Sequence, residues 1–398
     1  MVAYPSAVGR IGSDGGINPA RAAVGIGRTR HGTATGGGGG GGGFVADTLT
    51  SSNTGVPGGT SLTDVGSTTY TSANNGQTVT AKRFTARVTL DGAQNMTFTN
   101  CLFQFQDWYT VIGQNGAYNN TFNYCSFDMS HFLEGGGPGI FGEGLNLFRC
   151  HVYNSDGMFT PKGNSSAKES LFDTMMLGLT GAHANCIALF HGGNDITIED
   201  CKMTTAHTIV GYQISGGVCT ITTENQMFYA TTVAGGPVVS PVGLTIGITM
   251  RTADATLDGD HVITAASGNT LSFTTAAGNV GYTAAVGSAL GWNWAGAGGL
   301  TSAMSIITDF GSNDRVTIRR CRIEGGSSAA YVPGQEGSGY TIRNVTFTDN
   351  RLCGGLYGDV TGNNTNAQVL KWSGNIHDPR FTGSGTTVEM PGIGGERP

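Results

Sequence analysis

Asp107, His131 and Asp156 each stand six residues after a cysteine, namely Cys101, Cys125 and Cys150. Two carboxylates flanking an imidazole are the residue types of general acid–base chemistry. Carboxyl pairs about 6.5–9.5 Å apart are what inverting glycoside hydrolysis uses. Trp108, Tyr109 and Phe132 adjoin the triplet and are of the kind that stacks on a sugar ring. Glu134, Glu143, Lys162, His183 and His191 add polar groups in the adjoining segments. The competing reading is that Asp107 and Asp156 are solvated turn residues, since any repetitive face offers several such triplets. The cysteines raise a second question, whether thiolates hold a metal. No CxxC pair occurs in the chain, so zinc-type spacing is missing and no metal or other cofactor is expected.

The cysteines belong to a repeated eight-residue phrase that must position the triplet. It is read at 96–103, 120–127, 145–152, 169–176, 196–203, 316–323 and 340–347. Its third residue is always apolar (Phe98, Phe122, Leu147, Leu171, Ile198, Ile318, Ile342), and so is its eighth (Phe103, Phe127, Val152, Met176, Met203, Ile323, Phe347). The sixth is Cys101, Cys125, Cys150, Thr174, Cys201, Cys321 and Val345. Neighbouring phrases are 24 to 27 residues apart, except for one step of 120 between Cys201 and Cys321. A period in the twenties marks a solenoid, whose units bury their apolar faces only against one another. Period-2 alternation makes the elements strands. A polar residue such as Asn100, Asp200 or Asn344 between them suits a left-handed corner. Each unit is therefore read as a rung of a parallel β-helix, with equivalent side chains ~4.8 Å apart. The cysteines become interior filler, interchangeable with Thr and Val. On this reading Asp107 and Asp156 lie two rungs apart, ~9.6 Å, with His131 between them.

Composition agrees with such a fold. Glycine is 67 of 398 residues and charged residues are 12%, which suits tight corners rather than helices. The net charge of −6 argues against a nucleic-acid partner. No run of ~18 apolar residues could span a membrane as a helix. The opening residues contain no apolar core of a secretory signal, and cysteines without a framework spacing fit synthesis in a reducing cytoplasm.

Five regions follow. Residues 1–60 read as an extended, basic, Gly-rich arm with an unbroken glycine run at 36–43, a segment that orders against a partner. Residues 61–217 hold the first rungs. Residues 218–300 interrupt the phrase with strands separated by Gly, Asp and Asn, and read as an inserted small all-β domain. Trp292 and Trp294 sit near its end. Residues 301–377 resume the rungs and close with a strand near 368–372, and 378–398 form an irregular tail.

The rungs over 95–217 and 301–355 resemble the right-handed parallel β-helix superfamily of pectate lyases and bacteriophage tailspikes. Residues 257–275 are similar to a short β segment of phage tail and baseplate proteins. The Gly- and Ala-rich opening is similar to minor tail proteins of phages that infect actinobacteria. The resemblance implies a homotrimer docked on a tail through its N-terminal arm, located in the virion and made in the host cytoplasm. It implies a structural tail or tail-tip protein that contacts host-envelope glycan or another receptor. The alternative is a depolymerase, a hydrolase or lyase acting at Asp107, His131 and Asp156. The calcium-binding Asp clusters and catalytic Arg of pectate lyases have no counterpart in the sequence, and the lack of a dense carboxylate cluster favours attachment over catalysis.

Overall fold

The computed structural model describes residues 44–104, 109–129, 139–153, 157–173, 185–205, 207–223, 242–243, 245–249, 255–257, 259–291, 302–325, 328–332, 339–354, 358–362, 368–378, 383 and 385–390. Its organising feature is three parallel ladders, here A, B and C, to which each turn of the chain contributes in order. Ladder A begins with Thr63–Val65 and Lys82–Phe84 and belongs to an 11-stranded sheet. Ladder B begins with Thr68–Thr71 and Val88–Asp91. Ladder C begins with Thr78–Thr80 and Thr97–Thr99. The long strand Gly157–Lys168 serves B with its first half and C with its second. The protein is mostly β, with long parallel sheets compatible with a parallel β-helix.

The repeated phrase is the end of a C strand, a corner, and the start of an A strand. At the corner a residue takes the left-handed conformation in every rung: Ala81, Asn100, Tyr124, Arg149, Glu169, Asp200, Arg320 and Asp349 have φ between 47° and 56°. Asn favours that region, whereas Tyr and Arg do not, so rung stacking imposes it. Strand register makes equivalent residues coincide. Phe98 stacks on Phe122 at 4.8 Å, Phe103 on Phe127 at 4.7 Å, and Phe347 on Trp372 at 4.7 Å. Each stacked pair adds about 0.5–1.5 kcal/mol beyond the area it buries.

Register also corrects two of the phrases. Leu147 pairs with Ala167 and Val152 with Phe172, so the rung expected at 169–176 lies four residues earlier, at 165–172. Its column residue is Ser170, while Thr174 lies outside the described residues. Ile318 pairs with Phe347 and Ile323 with Leu352, so the phrase expected at 340–347 runs over 345–352. There Val345 faces the core at the first position and Asn350 fills the column. The column reads Lys82, Cys101, Cys125, Cys150, Ser170, Cys201, Cys321, Asn350, Asn375 in paired rungs. Its members satisfy backbone groups. Cys150 Sγ donates to Phe122 O at 3.2 Å, and Ser170 Oγ accepts from Cys150 N at 3.0 Å. Asn350 Oδ1 accepts from Cys321 N at 2.9 Å, and Asn375 Oδ1 accepts from Asn350 N at 3.1 Å. Burial pushes the Cys125 and Cys201 thiols well up, which keeps them protonated and poor as metal ligands.

Rung length varies more than the phrase suggests: 19 residues separate the paired Val79 and Phe98, and 31 separate Ala167 and Ile198. Close backbone approach fixes one glycine. Gly142 has φ 120°, and a Cβ there would fall 1.9 Å from Gly113 O. Across the step of 120 the ladders continue in register, Ile196 against Val316 and Met203 against Ile323. Between them lies a closed antiparallel barrel with strand order His207–Ser215, Val218–Thr223, Thr270–Thr274, Gly259–Ser267, Thr245–Thr249, Val280–Gly291. Antiparallel pairing begins at His207, which pairs with Leu290, eleven residues ahead of the boundary expected at 218, because Gly216–Gly217 is a turn within the barrel's first hairpin. Trp292 and Trp294 lie outside the described residues. At the C-terminal end Thr386–Thr387 pairs antiparallel with Ile376–His377. Trp372 Nε1 donates to Val388 O at 2.9 Å. This part of the irregular tail thus continues ladder A.

At the other end of the chain, residues 44–60, part of the expected arm, lie along the outer side of ladder A. Ala46, Leu49, Thr54 and Gly55 are buried there. Residues 1–43 lie outside the described residues.

Candidate functional site: an outward column beside ladder B

Asp107, His131, Asp156, Trp108 and Phe132 lie outside the described residues, as do Glu134 and His183. Their supporting strands do not. Gln104 pairs with Asp128 and Asp128 with Tyr153, so register holds the common offset to within three residues of the triplet. Beyond that point the connections to ladder B differ in length: Val111, Ile140 and Gly157 open the next strands. Among the described residues, strand register carries the equal spacing from the cysteines as far as Gln104, Asp128 and Tyr153.

Outward positions of those strands and of the next, Leu171–Asp173, carry an acid–imidazole column that the sequence reading missed. Gln104 Nε2 donates to Asp128 Oδ2 at 3.1 Å. His151 Nε2 lies 2.7 Å from Asp173 Oδ1, and the Tyr153 ring packs on His151 with centroids 4.4 Å apart. His151 and Asp173 are each only 13% exposed, and Gly55 lies over the His151 Cβ. The pair has the residue types of an acid–base couple, but it is covered by the chain's own N-terminal segment. The signal that could have found His151 is the alternation itself, since it stands beside Val152, which the phrase names as inward; Asp173 was out of reach because the phrase was misplaced at its rung.

Tyr109 leads to a second column. Its ring stacks on Phe141 at 4.9 Å, and the Arg87 guanidinium stands 5.9 Å from its centroid. Phe141 meets the edge of His191 at 5.0 Å and has Lys162 Nζ 5.5 Å from its centroid. His191 stacks on Phe310 at 4.9 Å. The column thus crosses several rungs, each aromatic contact close to one rung spacing. Ladder geometry explains it: Phe141 points outward on Ile140–Glu143, while Phe190, His191 and Phe310 belong to corner loops stacked by Phe310 N donating to Phe190 O at 2.9 Å. Glu143, at the neighbouring corner, accepts from Gly116 N at 2.7 Å.

The chemistry available here is binding. Burial, then the charge of Lys162, lowers the His191 pKa from 6.5 to about 4, so its ring is neutral near pH 7. Tyr109 packs within the column rather than standing free, whereas Phe310 is 59% exposed and presents the open ring. Lys162 is exposed and places a cation beside the rings. An aromatic surface flanked by cations suits a polyol carrying acidic groups. Phe141, Phe190 and Phe310 escaped the sequence reading because they lie outside the phrase, in segments of unequal length.

No group of three or more His, Cys, Asp or Glu residues able to hold a metal ion occurs among the described residues, and no described helix is long and apolar enough to cross a membrane. No family model matches the chain, and no curated protein matches it.

Proposed function

We propose that the chain is a structural rod of a bacteriophage tail, a minor tail or tail-tip protein that touches glycan of the host envelope during adsorption. The single observation that carries this reading is the outward Tyr109–Phe141–His191–Phe310 column, flanked by Lys162 and mounted on rigid parallel ladders. Phe141 stands on a paired strand, and the loops carrying His191 and Phe310 are tied by Phe310 N donating to Phe190 O at 2.9 Å, which limits the entropy lost on binding a repetitive ligand. The finer features belong to the same reading: a right-handed helix, a homotrimer, a virion location, and attachment to other tail proteins through residues 1–43.

The test is binding of the purified protein to envelope polysaccharide from actinobacteria, with Phe310→Ala as the variant. A single aromatic stacking contact is worth about 0.5–1.5 kcal/mol, so a three- to tenfold loss of affinity is expected. Unchanged affinity would overturn the assignment to this column. The same incubation checks for new reducing ends or unsaturated sugars. Products that vanish with Asp107→Asn and Asp156→Asn would establish the depolymerase instead.

A further inference from the structure

The N-terminal segment 44–56 touches rungs on both sides of the barrel. At one end Asp47 contacts Arg351 through a charge-assisted hydrogen bond, and Arg322 Nη1 lies 3.5 Å from its other oxygen. The Arg351 guanidinium also sits 4.0 Å from the Phe44 ring centroid. Arg322 and Arg351 belong to Arg322–Gly325 and Arg351–Gly354, the first two ladder A strands that follow the barrel. At the other end Gly55 N donates to Arg149 O at 2.8 Å, and Val56 N donates to Ser126 Oγ at 2.9 Å. Those partners lie before the barrel, in rungs ending with Ser126–Asp128 and His151–Tyr153. Gly55 has φ 73°, and a Cβ there would fall 2.8 Å from His151 Cβ, so the segment seats tightly. Between the two ends it is folded on itself: Asn53 Nδ2 donates to Thr48 O at 2.7 Å and Thr54 Oγ1 to Thr50 O at 2.7 Å.

We propose that residues 44–56 form a clasp that holds the rungs before the barrel to the rungs after it, with Asp47 between Arg322 and Arg351 as its closing contact. The covalent chain between Lys202–Thr204 and Arg322–Gly325 makes the excursion through the barrel, and the two strands meet through their pairing and through contacts such as Thr204 Oγ1 donating to Glu324 Oε2 at 3.3 Å. The clasp adds a further connection, along the outside. Its closing contact is charged and enclosed. Arg322 is 1% exposed, Glu324 pairs with it, and Asp378 Oδ2 lies 3.7 Å from Arg351. Three carboxylates thus share two guanidiniums, and burial raises the Asp47 pKa even against both arginines. The seat therefore holds Asp47 without an excess of positive charge. On the far side of Val56, Pro57, Gly58 and Gly59 are exposed, and neither glycine has an atom within 4 Å of a Cβ position. These residues form an exposed turn, with Thr60 N donating to Pro57 O at 3.2 Å, that joins the clasp to the ladders.

This exposed turn supplies the experiment. A protease site is placed between Gly58 and Gly59 of the full chain, and the purified protein is cut under native conditions. The fragment ending at the cut is expected to co-elute with the solenoid on gel filtration. In Asp47→Lys it is expected to separate after cutting, and the double variant Asp47→Lys/Arg351→Asp is expected to recover at least part of the retention. Melting curves of the uncut variants confirm that each solenoid is folded. Release from the cut wild-type protein would show that only the covalent tether holds the segment and would overturn the proposal. Equal retention in Asp47→Lys would overturn the role of the arginine pair.

Discussion

At the residue scale, the decisive side chains are those whose surroundings contradict their usual habits. His191 is held neutral by burial and by Lys162. A base whose folded pKa lies below its unfolded value binds fewer protons in the native state, so stability falls as pH drops through the window between 6.5 and about 4. His191→Gln is expected to flatten this part of the profile: the melting temperature should change less between pH 7 and pH 4.5 than in the wild type, and an unchanged slope would assign the dependence to other groups. Asn350 is the other case. It is fully buried, accepts from Cys321 N and donates to Ile318 O at 3.2 Å. Asn350→Ala leaves these groups without their partner, at a cost of about 1–3 kcal/mol, measurable by denaturant unfolding. Asn350 and Ser170 also show why the sequence phrase slipped twice. The column was read as a place for small apolar groups, whereas the physical demand is a small side chain that satisfies a backbone N–H or carbonyl. Cys does this weakly, Ser and Asn do it well, and hydropathy separates them.

At the scale of elements, the corners explain what was legible. The inward alternation of C and A strands is strong in 96–103 or 316–323, where Phe, Ile and Cys all agree. It fails at 165–172, where Ala167 occupies the third position and supplies too little apolar signal. It fails again near 345–352, because Phe347 is the third residue of the true phrase and the eighth of the false one. The glycine contacts are legible only in three dimensions. Gly142→Ala is expected to destabilise the protein by more than the usual helix or strand penalty, since its Cβ would collide with Gly113 O and its φ disfavours a side chain. A fall in melting temperature beyond several degrees is the expected reading, against a small one for Gly58→Ala in the exposed turn, where a Cβ meets no atom within 4 Å. The acid–imidazole column and the aromatic column lie on outward positions and corner loops, where one sequence offers no period to follow. Tyr109 was singled out, but its partner Phe141 required the pairing of Ile140–Glu143 with Val111–Gln114 to be seen.

At the scale of the molecule, the ladders run through the barrel's place in the chain without a change of register. The barrel has its own buried centre, with Ile221, Ile263, Leu271 and Phe273. Replacing residues 207–291 by a short flexible linker is therefore expected to leave the ladders folded, with the β signal in circular dichroism kept in proportion to the remaining strands. Loss of the cooperative transition would show instead that the ladders depend on the barrel. The contact between Asp47 and Arg351 spans 304 residues of chain, and that separation carries a consequence in time. During synthesis Asp47 leaves the ribosome well ahead of the strand bearing Arg351. The segment must therefore wait, undocked, until that strand has emerged and paired. Its docking reports that the rungs on both sides of the barrel have formed.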